Sequence, residues 1–565
     1  MSALCFNSTM NISMSALVAA AQRSVLFACA PVSLPFLVKQ FERYCDGERL
    51  KHAFYWPHQD RTGVALLEAD SKESLQTALS RLSAHHRTNV RGAHLVGASG
   101  QTIQLPFFRI CSDPSCWPAE SSGSSQPNDV QGFLHSRSVR SDVIINQPPI
   151  SARSLYKKLL CCTTISDQTS TLFQSTRMTY PDLLARLVIP GYIEEVLRSI
   201  CPDARVSIFG SAINGLGSSS SDLDLVVHVD SKAFPTFVEF ISAGWNRSNS
   251  KGPIGYTKLG QRVTLQPFFL SLLRRLLRRV DPLGFHKAEL FRGYIPILHL
   301  HKFGLLGTGV DISCTFDQSA SPLKQSFHSG CLMDELLRAF TVCVPDFPKY
   351  ISILKFIARN AKLTRDGPSY TFTNFKLTVL FINFLQTCGY APPFEQLVSI
   401  WESVTTDPDK NPIISTLIPL PSLEVVLEQF FTYVITLNPS HFTLSLRSGR
   451  LYPRSKGLEP VLIVHPSSAV DFQDTMYEPK HDSDYVLCPN PIDPNRNMLH
   501  GIGEDEWSEF VRICDNWVKI LHIASSPVSS SKAEKWGLLA LERCPERRAF
   551  AVGPEKEEVD KRSCS

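Results

Sequence analysis

The sequence lacks any uninterrupted run of about 18 apolar residues, the length that a membrane-spanning helix needs, so we predict no membrane insertion. It also lacks a strong net charge, with only +4 over 565 residues. A nucleic-acid partner would therefore have to contact local basic patches and not a global positive field. The hydrophobic content of 43% is too high for general disorder and is sufficient for several folded domains.

The 16 cysteines lack the CxxC spacing that is typical of zinc sites. Cys111 and Cys116 come nearest to a metal-binding pair, but no second pair of suitable ligands follows them. We therefore predict reduced, mostly structural thiols and no zinc site.

Acidic residues are absent from the first 41 positions, which are rich in Ser and Ala and carry Arg23 and Lys39. This composition is typical of an organellar transit peptide, and an ordinary unstructured N-terminus is the alternative. Because a strand pattern begins at Ser24, we predict that a targeting segment, if cleaved, covers residues 1–23.

Residues 24–110 begin with strand and helix patterns in the order βαββα. This order resembles the start of an RNA-recognition-motif-like domain. The aromatic platform on which such domains stack bases is not evident in the strand GVALLEA, so dimerisation is kept beside RNA binding. Residues 111–166 are dense in Ser, Pro, Asn and Asp in their first part, and we predict a linker there.

The remainder of the chain divides by pattern into three parts. Strands interrupt helices over 167–325, and the patterns over 326–525 are mainly helical. The last part, 526–565, loses its periodicity and becomes charged, so we predict a flexible tail.

The segment 207–230, SIFGSAINGLGSSSSDLDLVVHVD, carries the chemistry. One strand pattern ends at Gly210 and Ser211, and the next begins with Asp222 and Asp224. Because side chains alternate along a strand, the two carboxylates project from the same face and form a clamp for Mg²⁺ or Mn²⁺. Gly210 lets the backbone approach phosphates, and Ser211 can donate a hydrogen bond to them.

A two-metal site needs a third carboxylate, and Asp311 in the short strand GVDISC is the candidate. One metal would lower the pKa of an attacking hydroxyl, and the other would hold a triphosphate and the leaving pyrophosphate. A lone DxD is usually a solvated turn, and a lone Gly-Ser is usually a loop. Their combination on consecutive strand patterns is much more specific.

The Gly-Ser and DxD spacing resembles the signature of the DNA-polymerase-β-like nucleotidyltransferases. FGSAINGLGSSSSDLDL is similar to their non-canonical poly(A) polymerase and terminal uridylyltransferase branch, and the similarity extends through most of 170–520. The resemblance implies an α+β fold, with a polymerase-β-like palm and a helical poly(A)-polymerase-associated domain behind the N-terminal RNA-recognition-motif-like domain. It also implies that Asp222, Asp224 and Asp311 are the catalytic and metal-binding residues.

Two downstream segments resemble the nucleotide-binding helices of the family. In ILKFIARN, the resemblance implies that Lys355 and Arg359, one turn apart, reach the triphosphate; a solvated helix face is the alternative. In SYTFTNFKLT, it implies that Thr373 and Asn374 lie near phosphate or base and that Phe375 lies beneath the base, with a core position for Phe375 as the alternative.

The variant TNFKLT, the N-terminal domain and the acid-free leader are most similar to the mitochondrial subgroup of this family. The resemblance implies template-independent transfer of AMP from ATP to RNA 3′ ends in the mitochondrial matrix, by an enzyme that could be a homodimer. A uridylyltransferase, a non-catalytic RNA-binding scaffold and a cytoplasmic location are the alternatives.

Two features bear on the choice of nucleotide. The residues Met333, Asp334 and Glu335 stand where many relatives have Asn-Thr, whose Asn contacts the ribose. Uridylyltransferase relatives commonly place a histidine near the base, and 490–498 contains none, although His500 follows closely. The absence from 490–498 favours ATP.

Overall fold

The computed structural model describes about three fifths of the chain. The described residues are 14–29, 34–45, 50–56, 63–85, 90–96, 102–110, 143–145, 152–198, 201–230, 258–280, 287–292, 295–303, 308–317, 329–364, 372–397, 419–454, 484–492, 496–524 and 538. No helix in these ranges is both long and apolar enough to cross a membrane. The cysteines within them are free thiols, as predicted, whereas Cys111 and Cys116 lie outside them.

The N-terminal part forms a six-stranded sheet with two helices on one face. Its elements are α1 (Met14–Gln22), β1 (Ser24–Cys29), α2 (Leu34–Tyr44), β2 (His52–Trp56), β3 (Gly63–Glu68), α3 (Lys72–His85), β4 (Val90–Val96), β5 (Thr102–Ile110) and β6 (Val143–Ile145). The strand order is β4-β5-β1-β3-β2-β6, and β5 runs parallel to β1. Alternating residues such as Phe27 and Tyr55 pack against α2 and α3, which confirms the predicted βαββα order.

The other face of this sheet is buried against the rest of the protein. Leu26, Phe54 and Leu66 share one core with Leu184 and Val188 of the central region. Trp56 Nε1 donates to Asp182 Oδ1 across the same junction, at 3.3 Å. This sheet face is therefore not free to stack RNA bases.

The helix α1, which lies within the predicted targeting segment 1–23, packs against the rest of the fold. Ala20 and Ala21 are buried in the core that the N-terminal sheet shares with the central region. Arg23 donates from Nη2 to Glu68 Oε1 at 2.6 Å, and His52 contacts the other oxygen of this fully buried carboxylate at 2.7 Å. Burial opposes ionisation of Glu68, but the bonds from His52 and Arg23 outweigh it and lower its pKa. Residues 14–23 of the predicted targeting segment 1–23 thus pack into the fold, and residues 1–13 lie outside the described residues.

The central region contains a five-stranded sheet backed by two helices. Its elements are α4 (Ala152–Leu160), α5 (Ile165–Thr176), α6 (Tyr180–Arg198), β7 (Arg205–Phe209), β8 (Leu223–Asp230), α7 (Lys258–Val280), β9 (Lys287–Arg292), β10 (Pro296–Phe303) and β11 (Thr308–Asp317). The strand order is β7-β8-β11-β10-β9, in which only β8 and β11 pair in parallel among the described strands. Leu225, Ile312 and Leu298 project from one face into a core with α6 and α7, which leaves the opposite face for polar residues.

The C-terminal region is mainly helical, as predicted. Its elements are α8 (Ser329–Cys343), α9 (Phe347–Asn360), α10 (Asn374–Thr387), α11 (Leu423–Thr436), β12 (Phe442–Ser445), β13 (Arg450–Pro453) and α12 (Glu504–Ala524). The apolar side of each helix meets a single large core that includes Phe347, Phe381, Phe430 and Trp517.

Two predicted flexible regions contain folded residues. Within the predicted linker 111–166, β6 pairs with β2, and Leu155 and Leu159 of α4 join the C-terminal helical core. Within the predicted tail, Leu538 is fully buried in that core, and its backbone N–H donates to Gln168 Oε1 at 2.8 Å. Both predictions are wrong at these places, because short apolar segments dock on surfaces formed by distant parts of the chain. Residues 111–142 and 146–151 of the predicted linker, and 526–537 and 539–565 of the predicted tail, lie outside the described residues.

Candidate functional site

The polar face of the central sheet brings the three predicted carboxylates to one place. Asp224 and Asp311 are direct partners in the register of the parallel strands β8 and β11. Asp222 immediately precedes β8 and has the same side-chain parity as Asp224. The predicted grouping of these residues on one face therefore agrees with the register of the sheet.

Two glycines make room for these carboxylates. Gly210 begins a short 3-10 turn directly after β7 and has a φ of +80°, which is unfavourable for other residues. A Cβ atom there would overlap the carboxylate of Asp224. A Cβ atom at Gly309 of β11 would lie only 2.5 Å from Asp222 Oδ1. The backbone of both segments thus packs directly against the acidic side chains.

The cluster of acids is electrostatically unfavourable without a cation. Burial, followed by the neighbouring charges of Asp311, Asp334 and Asp222, raises the pKa of Asp224 well above its ordinary value. Carboxylate oxygens are the ligands that Mg²⁺ prefers, and a divalent cation would offset this repulsion. The donor set therefore fits the predicted Mg²⁺ or Mn²⁺ in its chemistry.

Asp311 is held by a residue that sequence analysis missed. His299, opposite it on β10, places Nδ1 2.5 Å from Asp311 Oδ1. This hydrogen bond raises the pKa of His299, while burial opposes the increase. In the described part of the chain, no three His, Cys, Asp or Glu side chains already surround a position where a metal could be held.

The loop between Gly210 and Asp222 is anchored by Arg186 of α6. This guanidinium is buried and donates from Nη2 to the carbonyl oxygens of Ser219 and Ser221, at 2.9 and 3.0 Å. Burial lowers the pKa of Arg186, and the charges of Asp182 and Asp222 oppose that change. The arginine thus fixes the backbone that leads directly into Asp222.

Asp334 joins the C-terminal helices to the same loop. Its carboxylate accepts hydrogen bonds from the backbone N–H of Gly210 and from Asn214 Nδ2, the second at 2.8 Å. Burial raises the pKa of Asp334 to about 6, against the lowering effect of these two bonds. The group is therefore ionised at pH 8, although it is almost fully buried.

Lys355 of α9 also reaches the loop. Its Nζ lies 3.4 Å from the carbonyl oxygen of Leu216. Burial of the ammonium lowers the pKa of Lys355 to about 8. Arg359 lies one turn further along α9 and is exposed. A cation beside a loop that follows the Gly-Ser turn is well placed to attract a polyphosphate.

The predicted base-binding residues lie at the beginning of α10. Thr373 caps this helix by accepting a hydrogen bond from the backbone N–H of Lys376 at 3.3 Å. The side-chain oxygen of Asn374 is buried without a hydrogen-bond partner. Phe375 is 46% exposed, which excludes the alternative that it belongs to the core. An exposed aromatic ring at a helix N-terminus can stack on a base.

The segment containing His500 borders the start of α10. Lys376 Nζ donates to the backbone oxygen of His500 at 2.5 Å. His500 Nδ1 lies 2.9 Å from Asp484 Oδ1, and its side chain is largely exposed. A histidine therefore does lie near the start of α10 in space, although 490–498 contains none.

Comparisons with known proteins agree with this architecture. Residues 165–322 match the family described as the central palm domain of mitochondrial-like poly(A) RNA polymerases. The mouse protein named mitochondrial poly(A) RNA polymerase is 22% identical over 412 residues, which cover 70% of this chain and 62% of that protein. The human protein of the same name is 23% identical, with 72% and 64% covered. The chain thus spans less than two thirds of the length of these curated relatives.

The fold has counterparts among solved structures. A crystal structure of mtPAP in complex with ATPγS superposes with a TM-score of 0.64 at 19% identity, covering 94% of this chain and 98% of that one. A structure of mtPAP in complex with UTP gives a TM-score of 0.63. The zebrafish speckle targeted PIP5K1A-regulated poly(A) polymerase is 24% identical over 73% of this chain and 52% of its own length. The similarity to the non-canonical poly(A) polymerases is thereby confirmed, and so is an α+β fold with a palm.

Proposed function

We infer that this chain, a relative of the non-canonical poly(A) polymerases, is a polynucleotide adenylyltransferase that transfers AMP from ATP to the 3′-hydroxyl of RNA. One observation carries the proposal: Asp224 and Asp311 are register partners beside a Gly-Ser turn, on the polar face of the sheet. Clustered carboxylates next to a turn that approaches phosphates suit nucleotidyl transfer.

Each residue of the candidate site would have its own role in the transfer. Asp222, Asp224 and Asp311 would hold Mg²⁺ or Mn²⁺, which supplies charge neutralisation to the triphosphate and lowers the pKa of the attacking hydroxyl. Lys355 would donate to a phosphate oxygen, and Arg359 would add a second positive charge. The other residues that would contact the nucleotide are Gly210, Ser211, Thr373, Asn374 and Phe375.

A direct assay tests the proposal. Purified full-length protein would be given Mg²⁺, an RNA primer and each nucleoside triphosphate in turn. We expect extension with ATP, and a product that grows by AMP units. Extension with UTP in preference to ATP would replace the proposal by uridylyl transfer, and no extension with any nucleotide would favour a non-catalytic RNA-binding scaffold.

Uridylyl transfer is kept as the second candidate because of His500. Its Nδ1 is held by Asp484, and its exposed ring is on a segment that contacts Lys376, next to Phe375. A neutral or charged imidazole near a base can hydrogen-bond its edge and so bias the choice of nucleotide.

Phe375 offers a test of base stacking that is independent of the carboxylates. We expect Phe375→Ala to raise the KM for ATP about 5- to 150-fold, since stacking on an aromatic ring contributes roughly 1–3 kcal/mol per base. The melting temperature should change little, because the ring is 46% exposed. Phe375→Tyr is the matched control and should retain the wild-type KM. An unchanged KM in Phe375→Ala would exclude this ring from the nucleotide site.

We propose mitochondrial matrix localisation and RNA 3′ ends as the substrate on the strength of the relatives' names and the acid-free leader. A C-terminal fluorescent fusion of the whole chain tests the location, and a diffuse cytosolic signal would contradict it.

The N-terminal sheet, with three strands in the order β1-β3-β2 and helices on one face, supports descent from an RNA-recognition-motif-like domain. Since its other face is buried, homodimerisation through a strand edge is the role we propose for it.

A further inference from the structure

Asp334 has an unusual place for a carboxylate, because it joins two regions of the protein and is almost fully buried. Its helix, α8, contributes Met333, Leu336 and Leu337 to the C-terminal helical core. Its side chain leaves that core and contacts the turn that follows β7 in the central sheet. A buried charge is costly unless each of its oxygens is hydrogen-bonded, and here each has a donor.

The hydrogen-bond inventory explains why the residue is an aspartate. One oxygen of Asp334 accepts from the backbone N–H of Gly210, and the other accepts from Asn214 Nδ2. The side-chain amide of Asn214 cannot flip by 180° without losing a hydrogen bond, because its Oδ1 already accepts from the backbone N–H of Leu216 at 3.0 Å. Position 334 must therefore supply two acceptors. An asparagine there would supply one, and its NH₂ group would face the NH₂ group of Asn214.

This contact fixes the part of the loop that matters most for the candidate site. The backbone of Gly210 packs directly against the carboxylate of Asp224. Asn214 and Leu216 belong to the same loop, and the carbonyl oxygen of Leu216 is the atom that Lys355 Nζ approaches. The Asp334 bonds and the Lys355 bond thus link α8 and α9 to successive points of one loop.

We propose that Asp334 and Asn214 form a latch that fixes the C-terminal helices against the Gly210–Leu216 loop, and that Asp334 is a positioning residue for nucleotidyl transfer. The proposal rests on the proposed function. Through Gly210 the latch sets the position of Asp224, and through Asn214 it sets the loop against which Lys355 lies. If these hydrogen bonds were lost, the distance between Lys355 of α9 and the carboxylates of the sheet would no longer be fixed.

The test exchanges the two partners. The variants are Asp334→Asn, Asn214→Asp and the double variant that carries both changes. At pH 8 we expect Asp334→Asn to lower kcat about 10-fold or more, because two NH₂ groups then face each other and a buried donor is left unsatisfied. Asn214→Asp should also lower kcat, since it places two carboxylates together.

The double variant should recover to within about threefold of the wild-type kcat. In it, the amide at position 334 accepts from the N–H of Gly210 and donates to the carboxylate at position 214, which still accepts from the N–H of Leu216. Asp203→Asn, which changes an exposed acid before β7 to its amide, is the control and should leave kcat unchanged.

Melting temperatures of the wild type, the two single variants and the double variant separate the possible failures. A wild-type kcat in Asp334→Asn, or a double variant no faster than the single variants, overturns the latch. Recovery of the melting temperature by the double variant without recovery of kcat overturns the positioning role and leaves a structural contact. If the wild-type protein extends RNA with no nucleotide, the proposed function fails, while the exchange still reports on the contact through the melting temperatures.

Discussion

Replacing Asp224 with asparagine is expected to abolish nucleotide transfer, with a loss of about 1,000-fold or more, and to raise the melting temperature of the metal-free protein. The loss follows from removing a metal ligand whose effect on the reaction is worth several kcal/mol. The increase in melting temperature follows from the raised pKa of Asp224, because a raised carboxyl pKa means that ionising the group destabilises the folded state. Burial and the charges of Asp311, Asp334 and Asp222 raise that pKa. Asparagine has nearly the same shape and no charge to desolvate.

The stability gain has a defined dependence on pH. Because the pKa of Asp224 is raised on folding, the folded protein holds the proton more tightly than the unfolded chain. The cost of ionising this group is absent below the ordinary carboxyl pKa of 3.8 and increases as the pH rises above it. The difference in melting temperature between Asp224→Asn and the wild type should therefore widen with pH in the presence of a chelator.

Mg²⁺ should make the wild type the more stable protein, reversing the order of melting temperatures expected without metal. A ligand that binds only the folded state raises its stability, so Mg²⁺ should raise the melting temperature of the wild type more than that of Asp224→Asn. Asp203→Asn, at an exposed position before β7, is the matched control and should behave as the wild type in each measurement. Undiminished extension by Asp224→Asn would refute the assignment of the site.

The second large effect is expected for Lys355→Met, which should lower kcat/KM for ATP about 10- to 100-fold, mainly through KM. A hydrogen bond from a cation to a phosphate is worth roughly 1.5–3 kcal/mol, and methionine keeps the packing of the alkyl chain. Single-nucleotide addition, measured over a range of ATP concentrations, gives both constants. Lys349→Met, on the same helix, is the control, and an unchanged KM in Lys355→Met would exclude the lysine from the triphosphate site.

The same variant should be more stable than the wild type near neutral pH. Burial lowers the pKa of Lys355 from 10.5 to about 8, so the charged form is disfavoured in the folded state. This cost is fully present below pH 8 and is relieved as the pH rises from about 8 to about 10.5. Chemical denaturation at pH 7 and pH 10 should therefore show a difference between Lys355→Met and the wild type that decreases with increasing pH.

Local pattern was sufficient to predict the strands that carry the carboxylates. Period-two alternation in β8 indicated that Asp222 and Asp224 share a face, and the register of the sheet agrees. The same reasoning located Asp311 on a strand, but a strand pattern contains no information about its partner. The pairing of Asp224 with Asp311, and of Asp311 with His299, is a property of the tertiary structure.

The residues that sequence analysis missed make contacts with distant parts of the chain. Arg186 lies in a helix whose other buried residues are apolar, and only the approach of the Ser-rich loop reveals its role. Asp334 is a departure from the pattern of many relatives, yet the sequence alone could not show that Asn214 is its partner. The signal that could have found this pair is the acid at position 334, in the stretch where many relatives have an Asn.

Folded residues lie within the predicted leader, linker and tail, and they are folded for a common physical reason. Composition predicts whether a segment can form a core by itself, whereas α1, α4 and Leu538 are stabilised by surfaces that other segments provide. Ala20, Ala21 and Leu538 are too few to form a core alone. They are buried because a core already exists beside them.

The parallel pairing of β8 with β11 also determines when the site can form during folding. The connection between these strands contains α7, β9 and β10, so Asp224 and Asp311 meet only after a long loop has closed. Non-local strand pairing is slow compared with the formation of helices and hairpins. A nascent or partly folded chain would therefore hold Asp222 and Asp224 without Asp311. We therefore expect the three acids to come together late in folding, so that the proposed cation could bind only once the sheet is complete.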